Sequence, residues 1–328
     1  MKKYLATGLA AFLVIVLAVV SLSLGRTGMT ALQTQTLKTL MIICGISIAY
    51  CFIVGELTHN YSQMDKLWSL TPMLYVWIIA ARGGMKPRLL IFAVIVTLWG
   101  LRLTVNFARK GAYRLKFWEG REDYRWSIVK SHPMFRNRFV WTLFDLLFIS
   151  AYQNLLVLAI CLPALASMES TVPLGAVDLA AGGMATAFLM LETVSDEYQW
   201  RFHETKRKLI ESGKSLSELP EPYALGFNTL GPWGMMRHPN YLGEQGIWLS
   251  LYFFVVGAGV PTHGIFHVTF IGSLLLVLLF MGSSSLAENI SSGKYPMYED
   301  YIRQVHKYLP LRRYDPSQGQ GAAEKSHT

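Results

Sequence analysis

Two stretches of this sequence gather side chains able to bind a polar ligand and move protons. Glu192, Asp196, Gln199 and His203 are spaced four, three and four residues apart, and Lys206 continues the series. At 3.6 residues per turn that spacing aligns them on one face of a helix. Two carboxylates, an amide, an imidazole and an ammonium group can together hydrogen-bond ribose hydroxyls, a carboxamide or phosphates; the same set also suits a face wetted by solvent. The second stretch, GPWGMMRHPNYLGEQGIW at 231–248, puts Pro239 in a first helical turn, where its missing N–H costs nothing. Asn240 and Glu244 then lie one turn apart, with Tyr241 and Gln245 beside them. Arg237 and His238 stand just ahead of the helix, where free N–H groups and the helix dipole favour an anion. That pair predicts a phosphate contact, or equally the basic flank of a membrane span.

Two further groups carry polar chemistry. Trp99, Arg102 and Asn106 share a helical face, and Asp65 precedes the apolar run LWSLTPMLYVW. The segment 285–310 holds Glu288, Lys294, Tyr295, Tyr298 and Tyr301, a density of hydrogen-bonding groups that an interfacial aromatic belt also explains. Asp145, Gln153 and Asn154 lie inside an apolar run, as lining groups or interhelical hydrogen bonds.

The elements that must position these residues are membrane helices. The chain has 328 residues, 52% hydrophobic and 16% charged, with a mean hydropathy of +0.32. A soluble domain of that length needs about 25% charged residues to face water. The fold class is therefore an all-α polytopic bundle of about eight transmembrane helices, at 4–24, 38–57, 67–81, 88–107, 139–163, 173–193, 241–260 and 263–282. Residues 1–60 form N-terminal transmembrane helices, 61–310 the main membrane domain and 311–328 a disordered tail. Cys44, Cys51 and Cys161 sit in apolar runs with no metal-binding spacing; they pack as small hydrophobes, with no disulfide and no metal. The net charge of +9 belongs to loops facing the cytoplasm and not to a nucleic-acid surface. Arg102 to Arg138 holds ten Lys or Arg against three acids, which sets both termini inside. Arg82, Lys86 and Arg88 fit poorly, since they fall in a loop placed outside. No GxGxxG or GxxxxGK[ST] cradle occurs.

RHPNYLGE (237–244), followed by KYPMYEDYIRQVHKYLP (294–310), resembles the steroid 5-alpha-reductase C-terminal superfamily, and more closely its bacterial branch of DUF1295-type membrane proteins. MDKLWSLTP, LWGLRLTVNFARKG and EDYRW match that branch too, so the resemblance covers roughly residues 60–310. It implies a seven-helix reductase core after one extra N-terminal helix, in the cell (inner) membrane, with NADPH bound from the cytoplasm. It also implies that Asn240 and Glu244 contact the nicotinamide end, with Asp196, Glu192 one turn earlier, and Tyr295. His203, Arg237, His238 and Tyr241 complete the expected cofactor set. The Glu and Tyr that hold the steroid 3-keto group in the animal enzymes fall on Asp65 and Trp99. Asp can still hold a proton, whereas Trp offers only an N–H donor; this departure bears on the steroid as substrate, leaving a lipid- or steroid-like enone, and the cofactor assignment stands. Basic residues of the family's tail are missing near Ser284–Asn289.

The implied reaction reduces a carbon–carbon double bond conjugated to a carbonyl, in a hydrophobic or lipid substrate entering between helices. The alternative is an S-adenosylmethionine-dependent membrane methyltransferase of the isoprenylcysteine carboxyl methyltransferase type, which also carries RHPxY and a Tyr-rich tail. A pore or transporter would gather polar residues at mid-membrane; here they gather at the cytoplasmic ends.

Overall fold

A computed structural model describes residues 28–261 and 264–317. The span expected at 4–24 and most of the expected disordered tail lie outside them. Among the described residues the chain is helical, with no strand. Its helices are α1 (Ala31–Thr58), α2 (Gln63–Arg82), α3 (Pro87–Ala108), α4 (Tyr124–Ser131), α5 (Arg138–Phe144), α6 (Gln153–Ser167), α7 (Ala176–Glu211), α8 (Pro239–Tyr252), α9 (Phe254–Gly257), α10 (Phe270–Lys294) and α11 (Tyr298–Gln304). A wide-turned π segment, Asp145–Tyr152, joins α5 to α6.

Among the described residues, five helices are long and apolar enough to cross a membrane: α1, α3, the continuous run Arg138–Ser167, α7 and α10. The expected spans at 67–81 and 241–260 correspond to α2 and to α8 with α9, which are not among the five. The first turn of α2 carries Asp65 and Lys66, and the second pair is broken at Phe253. α7, at 36 residues, rises about 54 Å, well beyond the roughly 30 Å of a bilayer core.

The chain divides into two compact units: 1–185 with 248–277, and 186–247 with 278–328. They interleave along the sequence. In the first unit α2 packs on α3 and α6, and α1 packs on α2 and α6. The run 138–167 is its central helix, with 78% of its apolar window buried against 28% for α1. Small residues set the close crossings. A Cβ on Gly100 would lie 2.7 Å from the Ser69 carbonyl, and one on Gly272 would lie 2.6 Å from the Ala159 backbone. Ser150 Oγ donates to Asp145 Oδ1 at 3.3 Å and Asn154 Nδ2 donates to the Ser150 carbonyl at 2.8 Å. The three cysteines are buried.

The awkward cations find a structural explanation here. Arg88 is buried and makes a forked bond to Asp178 at 2.7 and 2.9 Å, while donating also to the carbonyls of Val172, Pro173 and Gly257. Lys86 donates to the Ser170 carbonyl at 3.0 Å and Arg82 to that of Gln35 at 3.2 Å. Of the three, Arg88 is buried in the packing of the first unit, whereas Arg82 remains exposed.

Candidate functional site

The residues expected at the cofactor lie in the second unit, and α7 is their spine. Its buried face presents Glu192, Ser195 and Asp196, and α8 meets it there. A Cβ on Gly243 would stand 2.6 Å from Glu192 Cβ, and one on Gly246 would fall 2.4 Å from the Phe188 ring. Only glycines three residues apart allow so close a crossing. Asn240, in the first turn of α8, then donates its amide to Asp196 Oδ1 at 3.1 Å. Glu244, one turn on, is buried. Two buried carboxylates and a third bonded to an amide make a compact polar cluster.

Further along the same face, Asn228 donates to Gln199 at 3.1 Å, and Gln199 donates to His203 Nε2 at 3.0 Å, which places the ring proton on Nδ1. Lys206 Nζ donates to the Gly226 carbonyl at 2.6 Å and to Tyr295 Oη at 3.4 Å. Gly226 has φ +83°, and a Cβ there would lie 2.3 Å from the Tyr295 ring, so glycine is required twice over. Beside this contact is a cleft of about 480 Å³, lined by His203, Lys206, Arg207, Ile210, Glu211, Lys294 and Tyr295. Arg207 pairs there with Glu211 at 2.6 Å and with Glu204 at 2.7 Å, and Lys206 and Lys294 add positive charge that suits a phosphate-bearing ligand.

Arg237 and His238, expected at an anion, turn toward Glu288. Both are buried, and Arg237 Nε donates to Glu288 Oε1 at 2.8 Å while its Nη1 donates to the carbonyls of Ile302 and Val305. His238 Nε2 donates to the same Glu288 oxygen at 3.0 Å, and Lys307 reaches Oε2 at 3.2 Å. Backbone bonds from Arg237 and His238 to the His306 and Lys307 carbonyls, at 3.1 and 3.0 Å, complete the clamp. Burial holds the His238 pKa below its ordinary value, against the pull of Glu288. Tyr241 stacks on His238 and meets Phe280 edge-on. Lys307 also donates to Ser284 and Ser285 at 3.4 and 3.3 Å, bringing a cation to the stretch where the sequence has none.

The tail tyrosines form an aromatic core. Phe227, Tyr295, Tyr298, Tyr301 and Tyr314 pack together, and Tyr301 Oη donates to the Trp233 carbonyl. Burial pushes the Tyr314 hydroxyl up to about 12. The loop 226–235 was missed as a partner of α7; Gly226, Asn228, Gly231 and Gly234 were its only signal, marking close backbone approach.

Asp65 and Trp99 belong to the first unit. Asp65 Oδ2 accepts from Trp126 Nε1 at 2.8 Å and faces Arg125 at 4.0 Å. Asp123 holds the same guanidinium at 2.8 and 3.2 Å. Burial and the Asp123 charge push the Asp65 carboxyl up, while Arg125 holds Asp123 down. Trp99 is fully buried, meets Trp248 edge-on at 5.1 Å, and its Nε1 has no acceptor among the described residues.

No solved structure matches this chain. The uncharacterized protein C594.04c of Schizosaccharomyces pombe is 31% identical over 286 residues, covering 81% of this chain and 79% of its own. Residues 51–305 match the family described as a protein of unknown function, DUF1295. This chain, a membrane protein by its apolar helices, belongs to the DUF1295 family.

Proposed function

We propose that this protein is an integral-membrane NADPH-dependent reductase that saturates a conjugated carbon–carbon double bond in a lipid- or steroid-like enone. Support comes from one feature. α7 carries a polar face for roughly 21 Å, from Glu192 to Lys206, and Asn240 meets it at Asp196 while Tyr295 meets it at Lys206. A dinucleotide has an amide-bearing end and a phosphate-bearing end, and the two ends of this face differ in the same sense. Asp196, Asn240, Glu244 and Glu192 would hold the carboxamide end. Lys206, Arg207, Lys294, His203 and Tyr295, which line the basic cleft, would hold the phosphates. Arg237 and His238 would position Asn240 through the Glu288 clamp.

When bound, NADPH supplies the hydride that ends on the β carbon of the enone. In the first unit, the buried Trp99 N–H is the donor for the carbonyl oxygen, where negative charge gathers. Asp65, whose carboxyl burial pushes up, would hold the proton that ends on the α carbon. Eight spans with both termini and the cofactor site at the cytoplasmic face of the inner membrane complete the proposal.

The test is a ligand titration of the full chain in detergent, followed by thermal unfolding with NADPH and with S-adenosylmethionine. At a hundredfold excess over Kd, a ligand binding only the folded state adds about 2.7 kcal/mol. NADPH should stabilise, and Asn240→Ala and Glu244→Ala should each weaken that effect. Stabilisation by the methyl donor alone would overturn the reductase in favour of a methyltransferase.

A further inference from the structure

The loop after α3 has no part in the reductase reading, yet it is built as a rigid platform. Gly120, at φ +117°, lies against Ala112, where a Cβ would fall 2.0 Å from the Ala112 carbonyl. Arg121 N donates to the Gly111 carbonyl at 2.9 Å, closing the loop at its base. The carbonyls of Phe117, Trp118 and Glu119 turn inward. Lys66 Nζ takes the first and third at 2.7 and 2.8 Å, and Gln63 Nε2 takes the second at 3.0 Å. With the backbone pinned on that side, Arg114, Leu115, Lys116 and Trp118 are exposed, while Phe117 packs back on Tyr50 and Tyr113.

What they present is amphipathic. Leu115 is fully exposed and Trp118 nearly half exposed. Lys110, Arg114, Lys116 and Arg121 surround them and are exposed too. Glu119 is the only acid between 110 and 121, and it pairs with Lys116 at 3.3 Å on the surface. Immediately before the loop, the apolar stripe Leu98, Leu101 and Val105 lies exposed on α3, a helix apolar enough to cross a membrane. The platform therefore directly follows that exposed apolar stripe.

We infer that the loop 110–121 is a docking surface for anionic phospholipid. Leu115 and Trp118 enter the boundary between headgroups and acyl chains, and the four cations contact lipid phosphates. Trp suits that depth, and each basic side chain near an anionic surface adds about 1 kcal/mol, roughly a fivefold preference.

The full chain is placed in nanodiscs of phosphatidylglycerol or phosphatidylcholine carrying brominated acyl chains, and Trp118 emission is isolated as wild type minus Trp118→Phe. Quenching by both lipids is expected, about fivefold or more favoured by phosphatidylglycerol in mixed discs, with the preference lost in Arg114→Gln/Lys116→Gln. Leu115→Cys carrying an environment-sensitive fluorophore gives the same readout at a fully exposed position, without touching the tryptophan. A water-like Trp118 emission untouched by brominated lipid overturns the proposal. So does equal quenching in both lipids that Arg114→Gln/Lys116→Gln leaves unchanged. Disulfide-linked pairs of Leu115→Cys without quenching would reassign the surface to contact between copies. None of these outcomes depends on NADPH.

Discussion

Replacing Arg237 with lysine separates two roles that the sequence leaves open. As an anion ligand, Arg237 would matter only when phosphate is present; as the centre of the clamp, it matters to the empty protein. Its side chain is 10% exposed, against 11% for Glu288, and its guanidinium serves one carboxylate and two carbonyls at once. Lysine keeps the charge but lacks the planar fork, so it cannot reach all three acceptors. Breaking a buried pair costs about 3–5 kcal/mol. His238 and Lys307 still face Glu288, which puts Arg237→Lys near 3 kcal/mol. By the scaling for domains of 150–250 residues, that lowers Tm by about 6–12 °C. The assay is thermal unfolding in detergent, without ligand, followed by tryptophan fluorescence. A Tm within about 2 °C of wild type, combined with weaker NADPH stabilisation, would refute the clamp and restore the anion contact.

Two other predictions concern the same unit. Burial depresses the His238 pKa below 6.5, so the unfolded chain binds its proton at a higher pH than the native one. The resulting stability is present above pH 6.5 and is lost as pH falls through the native pKa; Tm should drop on acidification, and His238→Gln should flatten that drop. Gly226→Ala forces a methyl group into the Tyr295 ring at a positive φ. It should cost about 2–3 kcal/mol in thermal unfolding and weaken NADPH binding, whereas an unchanged NADPH affinity would detach Tyr295 from the cofactor.

Much of the fold was legible because bilayer physics leaves a strong mark on composition. Long apolar runs at 38–57, 88–107 and 139–163 became helices close to those bounds, since unsatisfied backbone groups cannot survive in hydrocarbon. The α7 stripe was legible from spacing alone, because helical periodicity is local. Harder to see was which polar residues serve the fold. Arg88 with Asp178, ninety residues apart, and Arg237 with Glu288, fifty-one apart, look like surface charges until both partners are placed.

By itself the sequence determined a membrane-spanning helical chain, a polar face on one helix, and an Asn–Glu pair one turn apart on another. These follow from hydropathy and periodicity, which act between near neighbours in the chain. Only the tertiary structure decided that Asn240 reaches Asp196, that Lys206 reaches Tyr295, and that Arg237 turns inward to Glu288. Those pairings depend on how closely Gly243 and Gly226 let separate segments approach, a steric fact that spacing along one chain does not carry.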